Sequence, residues 1–221
     1  MHSEVRSTVT TTTTFNEPHS LPIRIWHWSF FLVLSASLVT VLFGSTVFRT
    51  QDNIVTVQTP LQKKGAVLNA EQARAVAHEF SDKLWNLHKW IGFIICALLL
   101  SRLIIEITQP GEEKLKNKIK RAAGFSSKIQ SERLARNHYV QVKWGYLLFY
   151  LLILLMALTG LGLAFEDVPW LKSGHETFVQ LHSFIQYLIY SFILVHLVGV
   201  IRADLGKHRG IVSGMIHGQT N

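Results

Sequence analysis

One cysteine, Cys96, stands among 221 residues. That excludes an internal disulfide, a Cys-x-x-Cys-His thioether attachment and a cysteine-ligated iron–sulfur cluster. Cys96 reads as a small core residue. Charge is also scarce: Asp, Glu, Lys and Arg make up 16% of the chain and the mean hydropathy is +0.25, against about 25% charged residues in ordinary soluble domains. The acidic side is the poorer one, with 14 Asp and Glu against 22 Lys and Arg. A phosphate-cradling loop is missing, since Gly210 and Gly214 lie in a stretch with no preceding strand and no Lys-Ser/Thr context. The first twenty residues are polar, with a threonine run from Thr10 to Thr14. The apolar stretch that follows is too long for a signal h-region and lacks a small-residue cleavage site, so no cleavable leader is expected. Residues 1–20 are expected to form a disordered tail.

The apolar residues that are present come in blocks. Ile25 to Phe48 is uncharged apart from His27, and Trp144 to Phe165 and Thr177 to Ile201 carry no acidic or basic chain except histidine. Each is long enough to cross a bilayer, which takes about 20 residues. A fourth block, Leu84 to Ile107, contains Lys89, Arg102 and Glu106, leaving only Trp90 to Ser101 free of charge. Lys89 and Arg102 stand near opposite ends and can snorkel to the two interfaces. The expected fold is therefore an all-α membrane protein, a four-helix transmembrane bundle over residues 21–205. Its helices are expected near 21–48, 84–107, 143–165 and 177–202, with a tail at 206–221.

The placement of charge orients this bundle. Thr108 to Lys143 carries nine Lys and Arg against three glutamates, and the tail adds Arg202, Lys207 and Arg209. The loop between the last two spans holds Glu166, Asp167 and Glu176 with Lys172 alone. The positive-inside rule puts both termini and the basic linker in the cytoplasm of a bacterial inner membrane. The basicity is read as a juxtamembrane face, not as a nucleic-acid surface. The loop from Arg49 to Lys83 is then extracytoplasmic. Within it, Asn69 to Phe80 reads as a short helix, with Asn69 as N-cap and Gln72 closing a capping box. It offers either a docking surface for a periplasmic partner or a cap over the membrane face.

Four of the eleven histidines fall in or at the ends of the spans: His27, His88, His182 and His196. Fourteen positions separate His182 from His196, which returns an α-helix to within about 40° of the same direction and about 21 Å further along. Ionisable groups inside a membrane are costly and usually functional. With the first span running outward and the second and fourth inward, depth pairs His27 with His196 and His88 with His182. Two imidazoles at each level fit a non-covalent, low-spin haem b, which takes two axial ligands. Zinc and copper sites generally take three or four. Two such haems, axially ligated by the two couples, are expected. Gly92, one turn beyond His88, and Gly199, near His196, would let a flat macrocycle approach the backbone, or would serve ordinary helix packing. Gln186 lies between the two levels on the ligand face. Arg24 and Lys89 are candidates for haem propionates or for simple snorkelling anchors. The third span has no histidine, and its Thr159-Gly160-Leu161-Gly162 reads as a close-packed wall.

These residues resemble a known family. Arg24-Ile-Trp-His27-Trp at the start of the first span, Leu87-His88-Lys89-Trp-Ile-Gly92 in the second and the paired histidines of the fourth are similar to the bacterial di-haem cytochrome b family. That family includes prokaryotic cytochrome b561 and the b-type subunits of nickel–iron hydrogenases, formate dehydrogenases and thiosulfate reductases. The likeness runs from about Pro22 to Gly218. It implies a four-helix bundle with two b haems on His27, His88, His182 and His196, and quinone chemistry on one face. Asn137, His138, Gln141 and Arg102, with Glu106, supply polar groups for a bound quinone near the inner haem, or form an interfacial belt. The first extracytoplasmic loop is longer than in the stand-alone quinol-oxidising members, which favours a subunit that docks an extracytoplasmic redox protein. The expected function is electron transfer across the inner membrane between such a partner and the quinone pool. Two alternatives stand beside it: a self-contained quinone oxidoreductase fed by a small reductant such as superoxide, and a haem or metal transporter. Homo-oligomerisation is left open.

Overall fold

The computed structural model describes residues 20–126, 128–206 and 211–218, with the backbone alone at Ile211. Eight α-helices are described: α1 Leu21–Ser45, α2 Thr50–Lys63, α3 Ala70–Thr108, α4 Leu115–Gly124, α5 Gln130–Ala164, α6 Pro169–Lys172, α7 His175–Leu205 and α8 Ile211–His217. A 3₁₀ turn, Gly111–Glu113, precedes α4. No strand occurs among the described residues. Four helices, α1, α3, α5 and α7, are long and apolar enough to cross a membrane, including the charge-bearing one. The expected tail at 1–20 falls outside the described residues except for Ser20.

Two spans are much longer than expected. The predicted short helix beginning after Asn69 is continuous with the second span, so α3 runs for 39 residues instead of starting near 84. Nothing between Phe80 and Leu84 can stop a helix: the segment Ser81-Asp82-Lys83 lacks glycine and proline. Its charges simply lie on a turn outside the apolar stretch, where His78 and Asp82 meet at 2.7 Å and Lys83 and Glu79 at 3.6 Å. The predicted capping box is present. Asn69 N–H donates to Gln72 Oε1 at 3.0 Å, and Gln72 N–H donates to Asn69 Oδ1 at 2.8 Å. The third span likewise begins at Gln130, not near 143, because no breaker lies between Gln130 and Trp144. At 1.5 Å per residue, α3 and α5 are about 58 and 52 Å long, well beyond a hydrocarbon core of about 30 Å.

The chain divides into two compact units, each taking a stretch of all four long helices. In the unit of residues 26–102 and 153–186, Trp26 is buried, stacks on Phe30 at 4.9 Å and donates its indole N–H to Leu98 O at 2.7 Å, tying α1 to α3. Gly44 lets Trp85 rest on α1, where a Cβ would come within 2.9 Å of the indole. Gly162 does the same for Phe178, joining α5 to α7. Buried Ser37, Thr40 and Thr159 are the small polar residues that such membrane packing uses.

In the unit of residues 1–25, 103–152 and 187–221, Phe149 of α5 stacks on Phe192 of α7 at 4.9 Å. Buried Lys143 lies between the faces of Tyr139 and Tyr146, at 4.8 and 5.1 Å. Glu106, at the end of α3, accepts the Leu115 backbone N–H at 2.6 Å and so caps α4. The basic linker is therefore helical over α4. Arg24 donates to Ile216 O at 2.5 Å, at the end of α8. Gly218 beside it has φ +79°, and a Cβ there would run into the guanidinium. The outward faces of the long helices are apolar: Leu32, Leu100, Leu151 and Leu194 are all exposed, as lipid-facing residues are.

Candidate functional site

Four helices converge on one pair of imidazoles. His88 of α3 and His182 of α7 face each other with ring centres 6.5 Å apart and planes at 85°. Both rings are half-buried. Each is held from behind by a threonine: Thr40 Oγ1 of α1 lies 2.8 Å from His88 Nδ1, and Thr159 Oγ1 of α5 lies 3.0 Å from His182 Nδ1. Gly160 makes room for the second ring, since a Cβ there would approach His182 Cε1 to 3.2 Å. Trp85 sets its edge against His88, with ring centres at 5.6 Å. A Cβ on Gly92 would meet no atom within 4 Å, so space lies open one turn beyond His88.

The pair tests whether an iron porphyrin fits. Two metal–imidazole bonds of about 2 Å, with about 1.1 Å from each nitrogen to its ring centre, span about 6.2 Å. The observed 6.5 Å agrees. Among the described residues no three His, Cys, Asp or Glu side chains gather as a site for a bare metal ion. Two imidazoles at this separation would suit ligation of one haem iron between them.

The remaining sequence candidates are more dispersed. His27, half-buried, lies edge-on to Trp28 at 5.6 Å. His196 is exposed and lies parallel to Phe192 at 6.3 Å. These two histidines belong to different units. Gln186 is half-buried and Lys89 exposed. Arg24 is engaged by α8, but its Nε is buried without a hydrogen-bond partner among the described residues. A buried donor left so costs free energy until an acceptor reaches it. Of the quinone candidates, Asn137 and Gln141 line one open cleft of about 360 Å³, together with Ala123, Arg136 and Val140. His138 and Arg102 are not among its lining residues. Arg136 shapes that cleft by bonding Phe125 O at 2.9 Å and Asn137 Oδ1 at 2.8 Å.

Sequence reasoning overlooked Thr40, Trp85 and Arg136, and took Thr159 for wall packing. A hydroxyl in an otherwise apolar span was the only signal for Thr40, and it did not say which helix it would meet.

Four apolar spans, no strand among the described residues and histidines inside the membrane segments define a multi-pass, all-helical membrane protein. Residues 18–218 match the family model described as prokaryotic cytochrome b561, and the chain belongs to that family. It is accordingly a b-type haem protein of membrane electron transport. No curated protein and no solved structure compared with the chain matches it.

Proposed function

We propose that the chain carries single electrons across the bacterial inner membrane, between an extracytoplasmic redox partner and the quinone pool. It would do so by holding two haems b, each between two histidines. The observation that carries this reading is the neighbouring pair His88 and His182, whose ring centres stand at a separation that would suit a bis-imidazole iron site. Bound there, haem b supplies reversible one-electron chemistry. The second couple, His27 with His196, is argued from sequence depth and from the family.

The chain's own residues have definable parts in this. His88 and His182 approach from α3 and α7, so no single helix movement carries both ligands away. Gly160 keeps the His182 ring close to α5. The buried Arg24 Nε is matched to an acceptor such as a propionate carboxylate. Asn137, Gln141 and Arg136 give the cleft beside α4 the few convergent polar groups by which a pocket orients a quinone ring. The extension of α3 beyond its apolar stretch, with α2, would offer surface for the redox partner.

Pyridine-haemochrome quantification on the detergent-purified chain tests the reading. Two haems b per chain are expected, falling to one in His182→Ala and to one in His27→Ala. A folded wild-type chain without haem, or a His182→Ala chain that keeps both, refutes it.

A further inference from the structure

Each hydroxyl behind the histidine pair has a single proton, and the helix backbone already takes it. Thr40 Oγ1 lies 2.6 Å from Ser37 O as well as 2.8 Å from His88 Nδ1. Two oxygens at 2.6 Å must share a hydrogen, and the carbonyl has none to give. The threonine proton therefore points at Ser37 O, and the hydroxyl can only accept from His88. Thr159 repeats the arrangement on another helix: Oγ1 donates to Leu155 O at 2.9 Å, with Met156 O at 3.1 Å, and lies 3.0 Å from His182 Nδ1. This back-bonding of threonine to the preceding turn is a common habit of hydroxyls inside apolar helices. Here it aims an oxygen lone pair at each ring.

Nδ1 must then carry the proton in both imidazoles, which leaves Nε2 as the free lone pair on each ring. Both threonines are buried, at 4% and 7% exposure, so no bulk water competes for the contact. The two rings thus share one tautomer, although their hydroxyls come from different helices.

We propose that Thr40 and Thr159 are positioning residues that fix the tautomer and orientation of His88 and His182, making Nε2 the metal-ligating atom of each. This rests on the bis-histidine haem reading above. An Nδ1–H held by an acceptor makes the imidazole a stronger donor to its metal, and such outer partners typically change metal affinity by about 10- to 100-fold. A stronger donor favours the ferric state, so loss of either hydroxyl raises the midpoint of the haem it serves.

Spectroelectrochemical titration of the haem-loaded chain, with the rate of haem transfer to an excess of a haem scavenger, tests this. Thr40→Val and Thr159→Val keep shape and lose the hydroxyl; Thr40→Ser and Thr159→Ser keep the hydroxyl. Each Val variant is expected to raise one of the two midpoints, the same one in both, and to speed transfer of that haem about 10- to 100-fold. The Ser variants are expected to hold the wild-type midpoint, which a purely steric role would not require. If a Val variant does not accumulate, Thr→Ala takes its place with the same expectation. Unmoved midpoints, or two threonines acting on different haems, overturn the inference while leaving the histidine ligands intact. A chain carrying both His88→Ala and His182→Ala that still binds two haems overturns the underlying reading instead.

Discussion

The His182 ring lies so close to α5 that a single methyl group distinguishes tolerated from disruptive substitution. A Cβ at position 160 would stand 3.2 Å from His182 Cε1, closer than ordinary packing allows, and the ring is held at the adjoining Nδ1 by Thr159. Overpacking of this kind costs about 1–3 kcal/mol. Gly160→Ala is expected to lower the thermal midpoint and weaken retention of one haem, and Gly160→Val to lose that haem. Gly145 lies on the same helix with nothing within 4 Å of its would-be Cβ. Gly145→Ala is expected to be neutral or to stabilise by up to about 1 kcal/mol. Equal effects at both positions, measured by thermal melting and haem content, would remove the special role of Gly160. At this scale the sequence displayed the histidines but not their supports. An imidazole in an apolar span is conspicuous because ionisable groups are rare there, whereas Thr40 and Thr159 resemble any small polar residue at a helix interface.

Element boundaries were legible where local chemistry sets them, and misread where only hydropathy was followed. The Asn69/Gln72 capping box gave the start of α3, because a cap is specified within four residues. The continuity of α3 from Ala70 to Thr108 was missed, since charge at Asp82 and Lys83 marks the edge of the apolar stretch and not the end of the helix. α5 shows the same thing at its first turns. A consequence can be measured. Asn69→Ala with Gln72→Ala removes both reciprocal bonds and is expected to cost about 1 kcal/mol of local stability. Amide exchange should quicken over the first turns of α3, near Ala70 to Ala77, with haem content unchanged. Fast exchange spreading through the apolar stretch would mean that the outer turns support the whole span, contrary to a cap of local reach.

On the scale of the whole molecule, four apolar stretches and an asymmetric charge distribution sufficed for an all-helical membrane fold, because a lipid environment leaves helices as the economical solution for this pattern. The same pattern carries no information about ring orientation, which depends on packing among helices remote in sequence. That orientation yields a test of the assembled chain. The His88 and His182 planes cross at 85°. Two perpendicular imidazoles donate equally into the two iron orbitals of π symmetry and leave them nearly equal in energy. Parallel rings donate into one and split the pair. Near-equality gives a strongly anisotropic ferric signal dominated by one low-field feature, and splitting gives a rhombic three-line spectrum. On the proposed ligation His88 and His182 would be the couple remaining in His27→Ala, and low-temperature electron paramagnetic resonance of that oxidised chain is expected to show the first form. Thr40→Val and Thr159→Val release a ring from its hydroxyl and should broaden or shift that feature. A rhombic signal in His27→Ala would mean that the rings turn toward parallel once they bind iron, and that the threonines do not hold them.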